Sequence, residues 1–316
     1  MNNKIEWKKE IYPYLNENIN ELINKLPQQL LSTMSEIRIS SKGILSVSSK
    51  NKNIIIKTSD DKPYIVSKSE IKKIFSNICG GTVYKYENQI KNGYITISGG
   101  HRVGFCGSGI YTDDELDTVT EINAMSFRIS RQIKNAAREI IGNILSGDKI
   151  FSCLIVSEPC GGKTTILSDL ARMLSNNGKR CAVIDERGEI CSVFNGQPQK
   201  DVGDLTCIYD GYYKSDGMML ALRSMSPQVI ICDEIGTCSE ADAMLEAMNA
   251  GVPVIASAHA LDEEELLTRP QIERLIDYGA IDKVIFLKGA NCPCSVKKVI
   301  TVNKYDENSW NSDNCI

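Results

Sequence analysis

The feature that most constrains the fold is a glycine-rich loop between an apolar run and a helix-like stretch. The apolar run covers residues 151–156, the loop reads Ser157-Glu158-Pro159-Cys160-Gly161-Gly162-Lys163-Thr164-Thr165, and the helical pattern covers residues 166–176. Consecutive backbone N–H groups at the start of such a helix form a cradle for phosphate oxygens. Lys163 adds a positive charge to this cradle, and Thr164 adds a hydroxyl ligand for magnesium. The sequence therefore predicts a loop that holds a nucleoside triphosphate.

The loop departs from the usual phosphate-binding pattern at its first position. The pattern G-x-x-x-x-G-K-[ST] asks for glycine where this chain has Ser157. Glycine is favoured where φ is positive or where another element approaches closely. Ser157 therefore predicts either a strained loop or a loop that accommodates serine, with the hydroxyl bonded to a nearby backbone group. A glycine-rich turn without a ligand is the structural alternative.

Length and charge limit the classes of protein to which this chain can belong. Its 316 residues exceed one typical domain and predict two. No window approaches 18 uncharged apolar residues and the N-terminus lacks the layout of a signal peptide, so we expect a cytoplasmic chain that does not itself cross a membrane. The 36 basic and 40 acidic residues give a net charge of −4, which argues against a broad nucleic-acid surface. Twelve cysteines, scattered through predicted elements, predict mostly reduced and buried side chains.

A change of composition at residues 142–149 predicts a domain boundary. We expect a smaller α+β domain at residues 1–145 and an α/β domain at residues 146–316. In the first domain, apolar spacing predicts one or two helices within residues 6–31, another at residues 68–78, and short strands. The predicted strands are residues 36–39, 45–48, 53–57, 94–97 and 102–105.

In the second domain, apolar strands alternate with helices, which indicates a mainly parallel sheet. The predicted strands are residues 151–156, 180–184, 229–232 and 254–256, the predicted helices are residues 164–176, 216–225 and 239–250, and residues 284–287 and 298–302 are predicted to close the sheet as a hairpin. In an open parallel sheet, the loops after the carboxyl ends of the strands form the ligand site. We therefore expect the polar groups at those ends to converge.

Other strands of this domain also end in charged or polar residues. The strand at 229–232 runs into Asp233-Glu234, the one before it into Asp185-Glu186-Arg187, and the one at 254–256 into Ser257-Ala258-His259. A P-loop ATPase needs an acid here, because magnesium must be bridged between phosphate and protein. Asp233 suits the metal, Glu234 suits a base for the attacking water, and His259 suits a sensor of the γ-phosphate. Two acids that only begin a turn, and a structural histidine, are the alternatives.

Longer segments of the chain resemble one protein family. They are residues 93–107, 127–131, 185–190, 216–219, 221–227, 233–236 and 249–259. Together they resemble the stage III sporulation protein AA family, which is similar to the secretion ATPases of type II and type IV systems. The resemblance extends over about residues 36–290.

The resemblance implies a RecA-like P-loop ATPase domain that hydrolyses ATP with Mg²⁺. It further implies a ring, expected to be a hexamer, on the cytoplasmic face of a membrane-embedded transport complex between mother cell and forespore. The expected partners are other copies of the chain and membrane proteins of that complex, and no nucleic acid.

Individual roles also follow from the resemblance. Lys163 and Thr164 match the phosphate loop of that group, and Asp233 with Glu234 match its second acidic motif. We expect Ser157 and residues 159–165 to bind the nucleotide, and Thr164 and Asp233 to bind the magnesium ion. Glu186 lies in the segment that resembles the acidic box of secretion ATPases, and His259 in the one that resembles their histidine box. First-domain arginines reach nucleotide phosphates in that group when the domains close, and the candidates here are Arg102, Arg128 and Arg131. A solvated strand face or an interdomain salt bridge is the alternative for these arginines.

The mechanism that we expect is hydrolysis of ATP by a water that Glu234 or Glu186 activates. Lys163, magnesium and at least one arginine would stabilise the developing charge. Two other functions stay open at this point. A nucleic-acid translocase or helicase could use the same core, although the acidic balance weighs against it. A nucleotide-binding scaffold with little hydrolysis is the other, because Ser157 departs from the pattern.

Overall fold

A computed structural model describes residues 5–50, 52–82 and 86–302, without the side chains of residues 88 and 115. The signal-peptide expectation rests partly on residues 1–4, and the second predicted domain includes residues 303–316; both segments lie outside the described residues. By packing, the chain forms two units, Met1–Arg131 with Ser192–Gln199, and Gln132–Cys191 with Lys200–Ile316. Among the described residues, no helix is both long and apolar enough to span a bilayer.

The helices and strands are numbered along the chain. The helices are α1 (Trp7–Ile11), α2 (Glu17–Asn24), α3 (Gln28–Thr33), α4 (Lys68–Ile78), α5 (Glu87–Lys91), α6 (Ile141–Ile144), α7 (Lys163–Asn176), α8 (Lys214–Ser224), α9 (Cys238–Asn249), α10 (Glu263–Leu267) and α11 (Pro270–Asp277). The strands are β1 (Met34–Ile39), β2 (Leu45–Ser49), β3 (Lys52–Ile55), β4 (Tyr94–Ile97), β5 (His101–Thr112), β6 (Glu115–Arg128), β7 (Leu145–Ser146), β8 (Lys149–Ile150), β9 (Cys153–Val156), β10 (Cys181–Asp185), β11 (Val193–Phe194), β12 (Gln197–Pro198), β13 (Thr206–Asp210), β14 (Val229–Glu234), β15 (Val254–Ala258), β16 (Lys283–Leu287) and β17 (Val296–Thr301).

The first unit is built on an antiparallel sheet of six strands in the order β3-β2-β1-β6-β5-β4. Helix α4 shows why a predicted helix forms where it does. Ser67 and Glu70 make a capping box at its start, and Ile71, Ile74 and Ile78 are buried at helical spacing along one side. The prediction of a helix at residues 68–78 is confirmed.

The first unit differs from the sequence prediction in its helices and in its strands. Residues 6–31 hold α1, α2 and most of α3 instead of one or two helices, because Pro13 lies in a 3₁₀ turn and Pro27 begins a new helix. The last strand predicted for this unit ends at residue 105, but β5 continues to Thr112 and pairs with the long strand β6, which the sequence analysis did not predict. The outer part of β5 is mostly exposed and therefore lacks the apolar alternation that would reveal it.

The second unit contains a seven-stranded sheet in the order β13-β10-β14-β15-β9-β16-β17. Every adjacent pair is parallel except β16 and β17, which form an antiparallel pair. The predicted mainly parallel sheet with a closing hairpin is therefore confirmed for this unit. Strand β13 and helices α10 and α11 were not predicted. Strand β13 is at the edge of the sheet and is only half-buried, and α10 and α11 are short.

The chain divides into its two units after Arg131, ahead of the boundary expected at residue 145. Ala137, Ile140 and Ile144 are fully buried, and the N–H of Ala137 donates to Asp169 Oδ2 on α7 at 3.0 Å. These contacts join the segment to the phosphate-loop helix. Whether residues 1–145 and 146–316 fold as separate domains stays a prediction.

Cysteine burial is less general than expected. Of the described cysteines, five are buried: Cys79, Cys153, Cys181, Cys191 and Cys232. Cys207 and Cys294 are half-buried, and Cys106, Cys160, Cys238 and Cys292 are exposed. The expectation that most cysteines are buried is wrong, because several lie on loops or at helix starts instead of in the strands of the core.

Candidate nucleotide-binding site

The strands β10, β14, β15 and β9 are neighbours in one parallel sheet, so their carboxyl ends share an edge. Lys163 Nζ is 3.0 Å from His259 Nδ1 across that edge. His259 Nε2 is in turn 3.5 Å from Glu234 Oε2. The predicted convergence of the strand-end groups on the phosphate loop is therefore present in the structure.

The phosphate loop leads from β9 into α7 with a sharp change of direction at Gly162. That residue is the N-cap of α7 and has φ +93°, a left-handed conformation that favours glycine. The N–H of Ile166 bonds back to the Gly162 carbonyl, so the N–H groups of the preceding positions project from the end of the helix. Pro159 and Cys160 are exposed at the loop tip, while Thr164 and Thr165 are half-buried in the first helical turn.

The Lys163 ammonium is folded back onto its own loop. Its Nζ donates to the Ser157 carbonyl at 2.7 Å and to the Glu158 carbonyl at 2.9 Å. The residue is only 7% exposed. Burial lowers the pKa of Lys163, and the negative charge of Glu234 acts in the opposite direction.

Ser157 is accommodated by the residue that faces it. It is not among the described residues with positive φ, so the strain predicted for a left-handed backbone is absent. Its buried hydroxyl has no hydrogen-bond partner among the described residues, so the alternative of a bond to the backbone is also wrong. A Cβ at Gly161 would overlap this hydroxyl. Ser157 thus occupies space that the missing side chain of Gly161 leaves free.

His259 and Glu234 form the side of the site opposite the phosphate loop. An ammonium can only donate, so Nδ1 of His259 accepts from Lys163, and a neutral ring carries its proton on Nε2, towards Glu234. The other oxygen of Glu234, Oε1, lies 3.4 Å from Arg269 Nη1. Sequence reasoning missed Arg269. In the sequence, Arg269 is marked only as the residue before Pro270, which indicates the start of a helix and not a contact with Glu234.

A second group of charges lies at the ends of β10 and β14. Lys214 Nζ is 3.0 Å from Glu186 Oε2, 2.9 Å from Asp233 Oδ1 and 3.1 Å from Glu240 Oε1. Burial acts to lower the pKa of Lys214, but the three carboxylates outweigh it and the pKa is raised. Burial raises the pKa of Asp233 to about 6, against the effect of Lys214. Sequence reasoning missed Lys214 and Glu240.

Asp185 has a structural role beside this group. It is fully buried, and its carboxylate accepts the N–H groups of Glu189, Ile190 and Cys191 at 2.8, 3.1 and 2.7 Å. These bonds fix the turn that follows β10. The half-buried Glu186 next to it carries the strand-end charge that reaches Lys214.

The phosphate loop is also held by the connection between β16 and β17. Glu158 Oε1 accepts the N–H of Ala290 at 3.0 Å, and the Gly161 carbonyl accepts the N–H of Cys294 at 3.0 Å. A Cβ at Gly162 would overlap the Cys294 side chain. The loop therefore depends on this connection for its conformation as well as on its own glycines.

The first-unit arginines have different surroundings. The guanidinium of Arg102 stacks on the Tyr94 ring at 4.5 Å from the ring centroid. Arg128 is exposed and lies opposite Arg102 on the neighbouring strand. Arg131 has buried Nε and Nη2 atoms for which the described residues offer no hydrogen-bond partner. Burial lowers the pKa of Arg131.

The residues of the second unit fit a nucleoside triphosphate with a divalent cation. The loop has glycines where a Cβ would overlap its surroundings, and a buried ammonium beside the start of α7. Thr164 in the first turn of α7 and Asp233 at the end of β14 carry oxygen atoms of the kind that magnesium prefers, and they would be its ligands. Among the described residues, no group of three or more His, Cys, Asp or Glu side chains could hold a metal ion.

A cavity of about 320 Å³ adjoins the phosphate loop, and its lining includes Ser157, Glu158, Leu261 and Lys288. A larger cavity of about 500 Å³ lies in the first unit, lined by residues of α2 and α4 such as Asn18 and Lys73. Neither lining includes Lys163, Glu234 or His259; the smaller cavity contacts the phosphate loop through Ser157 and Glu158.

The fold is shared with ATPases of known structure. The ATPase DotB of Legionella pneumophila superposes with a TM-score of 0.59 at 15% identity, over 93% of this chain and 82% of that one. The pilus retraction motor PilT with bound ADP superposes with a TM-score of 0.56 at 16% identity, over 85% of this chain and 76% of that one. By its fold, this chain is an α/β protein with the same architecture as these ATPases.

Sequence similarity identifies the family. The model of the family "Sporulation stage III, protein AA" matches residues 5–307. Stage III sporulation protein AA of Bacillus subtilis (strain 168) is 33% identical over 296 residues, which cover 92% of this chain and 94% of that protein. This chain belongs to the stage III sporulation protein AA family, as the motifs predicted.

Proposed function

We propose that this protein is an ATPase, the motor of a membrane-associated transport complex in sporulation, and that it acts as a ring. The observation that carries the proposal is the contact of Lys163 with His259, and of His259 with Glu234, at the carboxyl edge of one parallel sheet. The shared fold with the ATPase DotB and the motor PilT supports it, and so does membership of a sporulation family.

In the proposed RecA-like site, Lys163 and the N–H groups at the start of α7 bind the phosphates. Thr164 and Asp233 are the ligands for magnesium, which when bound neutralises phosphate charge. The Lys163 ammonium already lies beside the loop and needs only to exchange its bonds to two carbonyl groups for bonds to phosphate oxygens.

Glu234 is the proposed base and Glu186 the less favoured candidate. The carboxylate of Glu186 is already engaged in an ion pair with Lys214, at 3.0 Å. Glu234 has only longer contacts, 3.5 Å to His259 and 3.4 Å to Arg269, and its side chain is 31% exposed. It can therefore turn towards a water at the γ-phosphate.

His259 is the proposed sensor of the γ-phosphate. It is hydrogen-bonded to Lys163, so a phosphate group that binds the Lys163 ammonium would change this bond.

Among the first-unit arginines, Arg131 is the best supported candidate for a phosphate contact. Its buried Nε and Nη2 lack partners among the described residues, and a buried donor without an acceptor is costly. Arg102 already stacks on Tyr94. Arg128 stays a candidate because it is exposed. The proposed localisation is the cytoplasmic face of the membrane in the mother cell. The proposed partners are membrane proteins, and no nucleic acid is expected to bind.

The experiment is phosphate release combined with titration of a fluorescent ATP analogue. Lys163→Ala removes the only cation of the loop, so both nucleotide binding and turnover are expected to be lost. Lys179→Ala is the matched control, because Lys179 is also buried but pairs with Asp148, at 2.7 Å. We expect it to keep both activities in the folded fraction. Normal turnover in Lys163→Ala would contradict the proposed site.

Glu234→Gln tests the proposed base. We expect it to retain nucleotide binding and to slow hydrolysis by about 10²- to 10⁴-fold, the usual loss for a positioned base. If Glu234→Gln hydrolyses ATP at the normal rate and Glu186→Gln hydrolyses it slowly, Glu186 is the base instead of Glu234. If the natural protein binds ATP but releases no phosphate, the scaffold alternative holds. Stimulation of turnover by DNA or RNA would favour a translocase.

A further inference from the structure

Arg269 reaches the nucleotide site from a connection whose backbone is fixed. It is the N-cap residue of α11, and its carbonyl accepts the N–H groups of Ile272 at 2.9 Å and Glu273 at 3.0 Å. Its own N–H donates to the Leu266 carbonyl at 3.3 Å. Leu266 and Ile272 are fully buried on either side of it. The position of the guanidinium therefore depends on the side chain alone.

The guanidinium makes a loose contact with the proposed base. Its Nη1 lies 3.4 Å from Glu234 Oε1, and the two side chains are 28% and 31% exposed. An ordinary bond between such a cation and a carboxylate is shorter, about 2.7 to 2.9 Å. Among the described residues, Glu234 is the one side-chain partner of Arg269. Arginine carries five N–H donors, so most of them are available to another acceptor.

Arg269 also lies within electrostatic reach of the phosphate loop. Burial lowers the pKa of Lys163, and the positive charge of Arg269 adds to that effect. Glu234, Cys160 and Glu158 act in the opposite direction. Both cations belong to the same unit of the chain. A phosphate group bound by Lys163 would therefore be attracted by Arg269 as well, without an arginine from the first unit or from another copy of the chain.

The contact with Arg269 opposes the role proposed for Glu234. A base must be within hydrogen-bond reach of the water that it deprotonates. Here Oε1 of Glu234 faces the guanidinium, and Oε2 faces His259. A phosphate group can accept two parallel N–H bonds from a guanidinium. Such a pair would replace the single 3.4 Å contact and leave Oε1 free for the water.

Resting on the proposed function, we propose that Arg269 binds the γ-phosphate of ATP and leaves Glu234 when it does so. ADP lacks this phosphate, so in the ADP-bound protein Arg269 stays paired with Glu234. Arg269 then has two effects. It favours ATP over ADP, and it frees the base only when there is a phosphate to hydrolyse.

The test compares the affinities of the full chain for an ATP analogue and for ADP. The analogue has a nitrogen bridge between its β- and γ-phosphates and is not hydrolysed, and each nucleotide is titrated with Mg²⁺ against a bound fluorescent nucleotide. In Arg269→Gln we expect affinity for the analogue to fall by about tenfold or more, the usual effect of losing a hydrogen bond to a charged group. Affinity for ADP should change by less than about twofold, because ADP does not reach Arg269.

Arg274→Gln is the matched control. Arg274 lies in the same helix, and its partner is Asp242, at 2.7 Å. We expect this variant to keep both affinities at the natural level. A selective loss of affinity for the ATP analogue in the control would show that the effect comes from a change in α11 and not from a phosphate contact, and it would overturn the proposal.

A second variant separates a direct contact from an effect of charge. Arg269→Gln leaves the Glu234 carboxylate without this cation, and its negative charge could by itself repel the γ-phosphate. Arg269→Gln combined with Glu234→Gln is therefore compared with Glu234→Gln alone. We expect the selective loss of affinity to persist, and its disappearance would overturn the proposal. Because both charges of the ion pair are removed, this comparison also decides the question if Arg269→Gln alone folds poorly.

The two nucleotide affinities also separate this inference from the proposed function. A folded Arg269→Gln protein that keeps the natural ratio of the two affinities overturns the role of Arg269, while the proposed ATPase stands. A natural protein that binds neither nucleotide contradicts the proposed function, and the role of Arg269 falls with it.

Discussion

At the scale of single residues, the phosphate loop shows how one departure from a motif is compensated by a neighbour. Ser157 stands where the pattern has glycine, but its backbone is not left-handed and its hydroxyl fills the space beside Gly161. The two positions therefore depend on each other. Gly161 also lacks a positive φ, so its need for glycine comes from the Ser157 side chain and not from its backbone.

The prediction at this scale is a non-additive pair of substitutions. Gly161→Ala alone should weaken nucleotide binding or lower the melting temperature, because its Cβ overlaps the Ser157 hydroxyl. Ser157→Gly alone should leave affinity within about twofold, since no backbone strain is relieved. Combined with Ser157→Gly, the alanine should be tolerated, with a coupling free energy of about 1 to 3 kcal/mol. Titration of a fluorescent ATP analogue and thermal melting measure both effects.

Additive effects in that cycle would contradict the pairing. An affinity that rises by about tenfold in Ser157→Gly alone would instead show that the loop is strained in the natural protein.

At the scale of elements, the first unit joins α1 to the start of β5 through a buried histidine. His101 is 1% exposed, its Nε2 is 2.8 Å from Glu10 Oε2, and its Nδ1 accepts the N–H of Ser130 at 2.9 Å. Because Nδ1 accepts a hydrogen bond, it carries no proton. The ring is therefore neutral, and Nε2 donates to Glu10. Burial lowers the pKa of His101, Arg131 acts in the same direction, and Glu10 acts against them.

The lowered pKa of His101 predicts a pH dependence of stability. Below the usual histidine pKa of about 6.5, the unfolded chain binds a proton that the folded chain resists, so the free energy of unfolding falls as pH falls. The contribution is fully present above about pH 6.5 and changes by at most about 1.4 kcal/mol per pH unit below it. Urea denaturation of the natural protein and of His101→Gln between pH 7.5 and 5.5 measures the difference.

The comparison with a variant is needed because Asp210 and Asp233 have pKa values raised to about 6 by burial. Raised acid pKa values make stability fall as pH rises through that range, which opposes the histidine effect. Both carboxyl groups are present in the two proteins, so their contributions cancel. Equal pH dependence with and without His101 would contradict the prediction.

At the scale of the whole molecule, the proposed ring is expected to assemble when ATP is bound. Family membership and the shared fold with ATPases give this proposal its basis, and the exposed side chains of Tyr213, Leu220 and Met225 on and beside α8 leave apolar surface available. We expect Glu234→Gln to accumulate the ATP-bound form, since it binds nucleotide without turning it over.

Sedimentation velocity tests the assembly. Glu234→Gln with ATP and Mg²⁺ should shift from a small species to one of ring size, because bound nucleotide is retained. Lys163→Ala under the same conditions should not shift, since it cannot bind the phosphates. A single small species for Glu234→Gln at micromolar concentration would count against the ring.

The sequence by itself determined the features that are contiguous along the chain. The strand, glycine loop and helix of residues 151–176 form one local motif, and the positions of the acids at the end of β14 and of the histidine after β15 follow from where buried strands end. A parallel sheet then brings those ends to one edge whatever the rest of the chain does. For this reason the location of Lys163, Glu234 and His259 could be predicted, and so could the family.

Only the tertiary structure decided which charges pair. Lys214 pairs with Glu186, Asp233 and Glu240, and these four residues lie in four separate elements or loops with no shared periodicity. Arg269 reaches Glu234 by the same kind of contact across the sequence. The energy of an ion pair depends on the two charges and on the distance between them in space. For residues far apart in the sequence, that distance does not follow from the number of residues between them.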